Sequence, residues 1–323
     1  MWRYREVLPI DRDENIVSFQ EGFTPLLKIL FGTRKILIKQ DHLFPSGSYK
    51  DRGASVLVSK IKELGIHHVV EDSSGNAGAA AAAYCAHASI SCDIYVPVKT
   101  SPGKLAQIQS YGAHLYRIPG TREDTAAAVI QAAENTFYAS HSWNPYFFQR
   151  TKTFSYEVCE QLGWKAPDTV ILPVGNGTLF LGAYIGFREL QKRGILDTMP
   201  KMVGVQSAAC APLFEGYRQG KAIPIAIKPE RTAAEGIAIA HPVRGKQILN
   251  AVRETGGSII AVREEEILTG LSQMYKSGFY IEPTSGAAVA GIKKYLETAG
   301  KDEIIVSVFT GHGLKSGGKV FHE

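Results

Sequence analysis

Short continuous apolar runs alternate along most of this chain with stretches whose apolar residues recur every three or four positions. The runs at 35–39, 68–71, 91–96, 114–117, 169–173, 201–206, 258–262 and 303–309 predict strands. The three-to-four spacing predicts helices over 52–64, 75–88, 102–111, 122–134, 153–162, 178–193, 264–277 and 285–298. Runs such as Val170-Ile171-Leu172 have no polar face, so their strands are buried on both sides. Strands of that kind with helices between them predict mainly parallel sheets covered by helices, an α/β architecture. The segment 217–241 has little regular pattern, and Pro224, Pro229 and Pro242 mark it as connecting structure. A domain break is expected between 144 and 153, after Trp143-Asn144-Pro145.

Composition narrows the class. The chain has 323 residues, 45% hydrophobic and 21% charged, which suits a soluble globular protein of two domains with a sizeable core. Its formal charge of +5 is not gathered into a basic block, so nucleic acid is not an expected partner. Cys85, Cys92, Cys159 and Cys210 are widely spaced and form no Cys-x-x-Cys pair, which points to reduced thiols rather than a disulfide frame or a zinc site. The polar start Met1-Trp2-Arg3-Tyr4-Arg5-Glu6 does not read as a signal peptide. The longest low-polarity stretch, 77–86, is too short to span a bilayer and is built from small residues suited to close packing. A cytoplasmic protein with no membrane partner and no metal is the expectation.

Parallel sheets bind ligands beyond the carboxyl ends of their strands, and the unusual turns of this sequence fall largely there. Pro45-Ser46-Gly47-Ser48-Tyr49-Lys50-Asp51-Arg52-Gly53 sets a lysine directly after a turn and at the start of a helical pattern. The positive end of a helix dipole disfavours a second cation, and a neutral amine there would attack an aldehyde to form a Schiff base. Asp72-Ser73-Ser74-Gly75-Asn76 joins the strand at 68–71 to an Ala-rich helix. Hydroxyls at a helix entry serve as caps, and the same backbone N–H groups bind a carboxylate. Val174-Gly175-Asn176-Gly177-Thr178 joins the strand at 169–173 to another helix. Its glycines, with Gly182, do not match Gly-x-Gly-x-x-Gly, and no Gly-Lys-Ser/Thr follows. A single phosphate therefore fits this loop better than a dinucleotide or a nucleoside triphosphate, and a nicotinamide dehydrogenase is disfavoured. The strand ending at 309 runs into Thr310-Gly311-His312-Gly313-Leu314-Lys315. No second ligand stands at metal spacing from His312, which reads as structural, and Arg263-Glu264-Glu265-Glu266 reads as the acidic first turn of a solvated helix. A nucleophilic amine, a phosphate cradle, a carboxylate-binding turn and a hydroxyl at a strand end together match the needs of pyridoxal 5'-phosphate and an amino-acid substrate.

With Glu21-Gly22-Phe23-Thr24-Pro25-Leu26, Asn144-Pro145-Tyr146 and Glu282-Pro283, these motifs cover nearly the whole chain. In this order they resemble those of the fold-type II pyridoxal-phosphate enzymes, and among them most of all the threonine synthases. The resemblance implies a tryptophan synthase β-like fold and a homodimer. The expected division is a larger cofactor-binding domain of residues 1–41 and 151–323 and a smaller one of residues 42–150 carrying the lysine and the carboxylate turn. It further implies that Lys50 carries the cofactor as a Schiff base and moves the substrate's α-proton. Asn76 would bond the cofactor's 3'-hydroxyl. Ser73, Ser74 and Gly75 would take the substrate carboxylate, Gly175, Asn176, Gly177 and Thr178 the cofactor phosphate, and Thr310 would face the pyridine nitrogen. Arg150 and Lys152 are the candidates to bind a leaving phosphate. The implied reaction is a lyase step turning O-phosphohomoserine and water into threonine and phosphate.

The sequence departs from the threonine synthase pattern in three places. It has Gly175-Asn176-Gly177-Thr178-Leu179 where Gly-Asn-Ala-Gly-Asn is usual, Phe147-Phe148-Gln149-Arg150 after Asn144-Pro145-Tyr146, and Ser316 where an Asp follows the last lysine. Glu282-Pro283-Thr284-Ser285-Gly286-Ala287 also resembles the broader group with cysteine synthases and serine or threonine dehydratases. β-Replacement or β-elimination on a serine-type amino acid is thus the alternative chemistry, and a non-catalytic binding protein of the same fold the alternative class.

Overall fold

A short run of β-branched and apolar residues without a polar face suits a strand buried on both sides, and the described residues of the computed structural model (2–100, 102–120 and 122–316) form two sheets that hold such runs. Met1, at the head of the polar start, lies outside them. The strands are β1 Leu26–Phe31, β2 Arg34–Lys39, β3 His68–Glu71, β4 Ser91–Pro97, β5 His114–Ile118, β6 Phe137–Tyr138, β7 Thr169–Pro173, β8 Lys201–Ser207, β9 Ser258–Val262 and β10 Ile305–Val308. The helices are α1 Lys50–Glu63, α2 Asn76–His87, α3 Pro102–Ser110, α4 Arg122–Ala132, α5 Pro145–Thr151, α6 Thr153–Gln161, α7 Thr178–Lys192, α8 Pro212–Arg218, α9 Gly245–Glu254, α10 Glu264–Lys276 and α11 Pro283–Leu296. Among these residues no helix is long and apolar enough to cross a membrane.

The chain divides into two compact units, Met1–Gly22 with Phe44–Thr151 and Phe23–Leu43 with Lys152–Glu323. The cut after Thr151 lies one residue from the expected one. The N-terminal stretch differs from expectation: residues up to Gly22 go with the smaller unit instead of the larger. Leu8 and Ile10 pack on Val56 of α1, and Val17 is buried among Ala54, Leu57 and Ile61. Polar contacts fix the same docking, since Val17 N–H donates to Ser59 Oγ (2.8 Å) and the Asp11 and Arg12 N–H groups donate to Glu63 Oε1 (2.9 Å each).

The smaller unit holds a four-stranded parallel sheet in the order β5-β4-β3-β6. Ala79, Ala80, Ala82 and Ala83 of α2 are buried, and their small side chains let the helix lie close to β4. The larger unit holds a six-stranded sheet, β1-β2-β10-β7-β8-β9, parallel except for the β1–β2 hairpin. Every residue of β7 and β10 is buried. β1 is an addition to the strands the pattern predicts. As a sheet edge it leaves Leu27 and Leu30 in solvent and so lacks both alternation and a fully buried run. α8 reaches Arg218, and the rest of the segment 217–241 is irregular apart from one short 3-10 turn at Glu235–Ile237, as its prolines imply.

Candidate active site

In the smaller unit, α1 starts on Lys50 itself, with Tyr49 at the cap position. The turn before it is tied down by the residue after the lysine. Asp51 accepts the Ser46 N–H at 2.8 Å and the Ser46 hydroxyl, and Gln107 Nε2 donates to the Ser46 carbonyl at 2.8 Å. Arg52, fully buried, lays its guanidinium over the Phe44 ring at 5.0 Å. The Lys50 Nζ stands 4.9 Å from the Tyr49 ring centroid and 5.5 Å from that of Phe147, so aromatic faces flank the amine. Two residues upstream, the Ser48 hydroxyl is buried with no hydrogen-bond partner among the described residues. A buried hydroxyl without a partner costs roughly 1–3 kcal/mol, which a ligand oxygen beside Lys50 would relieve.

The second turn of this unit leaves β3 at Glu71 and enters α2 at Asn76. Gly75 occupies the cap position, so no capping side chain competes for the first N–H groups of the helix. Ser73 and Ser74 therefore do not cap α2; Ser73 Oγ instead accepts the Gly75 N–H at 3.3 Å, and both serines are half-buried. Buried groups brace the turn from behind. Glu71 Oε1 meets His141 Nδ1 at 2.7 Å, and Tyr138 donates its hydroxyl to Asp72 Oδ1 at 2.8 Å. Burial, with the charges of Glu71 and Asp72, pushes the Tyr138 phenol well above its ordinary range and keeps it a donor.

In the larger unit, β7 delivers Val174-Gly175-Asn176-Gly177 to the start of α7. Gly177 is the cap residue in a left-handed conformation (φ 78°), and a side chain there would also strike Ile248. The first N–H groups of α7 thus open onto a loop that admits only glycine at this point, the arrangement a phosphate needs.

At the end of β10, Thr310 is buried and held by two residues of the α11 start. Its hydroxyl donates to Glu282 Oε1 at 2.7 Å, its N–H donates to Ser285 Oγ at 2.8 Å, and the two hydroxyl oxygens lie 3.0 Å apart. Gly311 is glycine because any Cβ there would run into the Glu282 carboxylate. Glu282 and Ser285 carry no role in the sequence reading. The signal was present as an acidic residue just before a proline at a helix start, a position where a carboxylate is held by the dipole. His312 keeps a structural place, accepting the Leu314 N–H at 3.2 Å. Its neighbour His42 has a pKa lowered to about 4 by burial and by the nearby His312.

Arg150 and Lys152 do not appear as a solvent-facing phosphate pair. Arg150 is completely buried, bonded through Nη2 to Glu21 Oε1 at 2.9 Å and stacked 4.2 Å over Trp2. Lys152 is buried and pairs with Glu189 at 2.9 Å, whose carboxylate also accepts the Tyr156 hydroxyl. Each cation faces a carboxylate inside its own unit. A basic pair two residues apart gives no sign in sequence of which carboxylates it meets.

In the smaller unit, a lysine amine among aromatic faces and a glycine-capped helix start suit an aldehyde and a carboxylate; in the larger unit, a glycine-capped helix start and a hydroxyl at a strand end suit a phosphate and a heteroaromatic nitrogen. The chain belongs to the family of pyridoxal-phosphate dependent enzymes, whose pattern matches residues 17–311. Its curated relatives include the threonine synthase of Methanocaldococcus jannaschii, 39% identical over 98% of this chain and 80% of the relative. The threonine synthase of Methanosarcina acetivorans is 38% identical over 98% of this chain and 80% of its own. Among solved structures, maize serine racemase superposes with a TM-score of 0.77 at 20% identity, covering 90% of this chain and 88% of the other, a likeness of fold.

Proposed function

We propose that this protein is a threonine synthase-type lyase that converts O-phosphohomoserine and water into threonine and phosphate. The observation that carries the reading is the agreement of its curated relatives, named threonine synthases at 33–39% identity over 97–98% of the chain. Bound pyridoxal phosphate supplies an electron sink for carbanions formed next to the substrate nitrogen. Lys50 supplies the amine that anchors the cofactor aldehyde and then moves protons at the substrate's α carbon. Its role is supported by its position on the first turn of α1 and by the Ser46–Asp51 bonds that hold the preceding loop. Ser73, Ser74 and the Gly75 backbone bind the substrate carboxylate, and Asn76 orients the cofactor through its 3'-hydroxyl. Gly175, Asn176, Gly177 and Thr178 hold the cofactor phosphate, and Thr310 meets the ring nitrogen. In the net reaction phosphate leaves the γ carbon, and water adds its oxygen at the β carbon. The reading also takes the protein as cytoplasmic, supported by four free, buried cysteines, and as a homodimer, supported by the resemblance.

The test is a substrate comparison on the purified holoprotein. Phosphate release from O-phosphohomoserine in step with threonine formation, with little keto acid from serine or threonine, is the expected result. Keto acid from serine or threonine without phosphate release would assign β-elimination instead.

A further inference from the structure

Lys50 and Gly53 stand three residues apart on the first turn of α1 and so share one face of that helix. Phe147 of α5 lies across this face. A Cβ on Gly53 would run into the Phe147 ring, which fills the space a side chain there would need. The same ring has its centroid 5.5 Å from Lys50 Nζ, and the Tyr49 ring stands at 4.9 Å. Phe147 is itself fixed in place. It is buried in the core of the smaller unit, and His141 meets its ring in a T-shaped contact at 6.1 Å.

Both rings stand within the distance at which a cation is drawn to an aromatic face. Such a face attracts an ammonium without accepting its proton. A carboxylate in the same place would favour the charged form and hold the proton on the nitrogen. An amine that must lose and regain a proton in turnover is better held by rings.

We propose that Phe147 is a positioning residue that keeps the Lys50 amine aligned for proton transfer at the substrate's α carbon, with Gly53 as the opening that admits its ring. This rests on the reading of Lys50 as the amine that moves that proton. Once the substrate nitrogen has displaced it, Lys50 has no covalent tether at its end. The faces of Phe147 and Tyr49 then limit where its flexible four-carbon stem carries the nitrogen.

The test compares the full-chain holoprotein with Phe147→Leu, which keeps apolar bulk but loses the ring face. One readout is exchange of the α-hydrogen of O-phosphohomoserine for solvent deuterium, followed by NMR at saturating substrate. The other is capture of pyridoxal phosphate at residue 50, read by borohydride reduction and mass. In Phe147→Leu, exchange should slow by about tenfold or more, with KM within about threefold and capture at residue 50 retained. Gly53→Ala, which pushes the ring aside, should slow exchange in the same way. Exchange at the wild-type rate in a folded Phe147→Leu or Gly53→Ala protein overturns the proposal. Loss of capture at residue 50 in Phe147→Leu overturns it too, since the ring would then serve cofactor attachment instead. Wild-type protein whose cofactor attaches at another lysine defeats the reading of Lys50 itself, and the proposal with it.

Discussion

Arg150 has partners that give it a place in the architecture of its own unit. Its guanidinium is fully buried with Glu21, and removing one member of a buried pair leaves the other charge uncompensated. Arg150→Ala is therefore expected to destabilise the protein by about 3–5 kcal/mol in chemical denaturation. At a temperature where the variant remains folded, the KM for O-phosphohomoserine should stay within about twofold of wild type. A KM raised tenfold or more in a variant of normal stability would assign Arg150 the phosphate-binding role. Lys50 stands out in the sequence as a candidate because Ser-Tyr-Lys-Asp-Arg-Gly is local. Its bracing by Asp51, Ser46 and Gln107 was not legible there, since Gln107 lies on another helix. The buried lysine Lys39 would compete for the same role by burial alone. It is engaged by Glu157 at 2.8 Å, Gln161 at 2.8 Å and the Thr24 carbonyl at 2.6 Å, and so stands as a structural cation.

At the scale of elements, the sites sit where a strand's end meets a helix start, and glycine governs two of those junctions. Gly177 adopts φ 78° at the cap of α7 and faces Ile248. Gly177→Ala should cost about 1–3 kcal/mol of strain and displace the loop that reads as the phosphate cradle. Cofactor titration is expected to show affinity lowered at least tenfold, and tight, wild-type binding would count against that cradle. Strands such as β7 and β10 were legible because two buried faces leave an uninterrupted apolar run. β1 was not, because an edge strand with two exposed leucines obeys neither pattern. The Glu282–Ser285–Thr310 contact was hidden for a different reason. It joins α11 to the end of β10 across 28 residues of chain, and nothing local reports that closure.

For the whole molecule, the two-unit organisation was foreshadowed by the break near residue 150, while the allegiance of residues 1–22 was not. Those residues lack strong periodicity, and their place follows from contacts to α1. Stability of the molecule also carries a pH signature. The His42 pKa falls from 6.5 to about 4 on folding, chiefly through burial. Between those values the unfolded chain binds more protons than the folded one, so stability rises with pH across the window. The His42 contribution is fully present above about pH 6.5 and is lost as the pH falls toward 4. Denaturation midpoints followed from pH 7 to 4 should decline less steeply in His42→Phe than in the wild type. Parallel slopes would remove His42 from the account.

The proposed covalent attachment of the cofactor at Lys50 can be tested directly. Purified protein incubated with pyridoxal phosphate, reduced with borohydride and digested should yield one peptide, spanning residue 50, that carries the mass of the reduced cofactor. Lys50→Ala should yield none. Labelling at another lysine, or an unlabelled wild-type protein, would contradict the account.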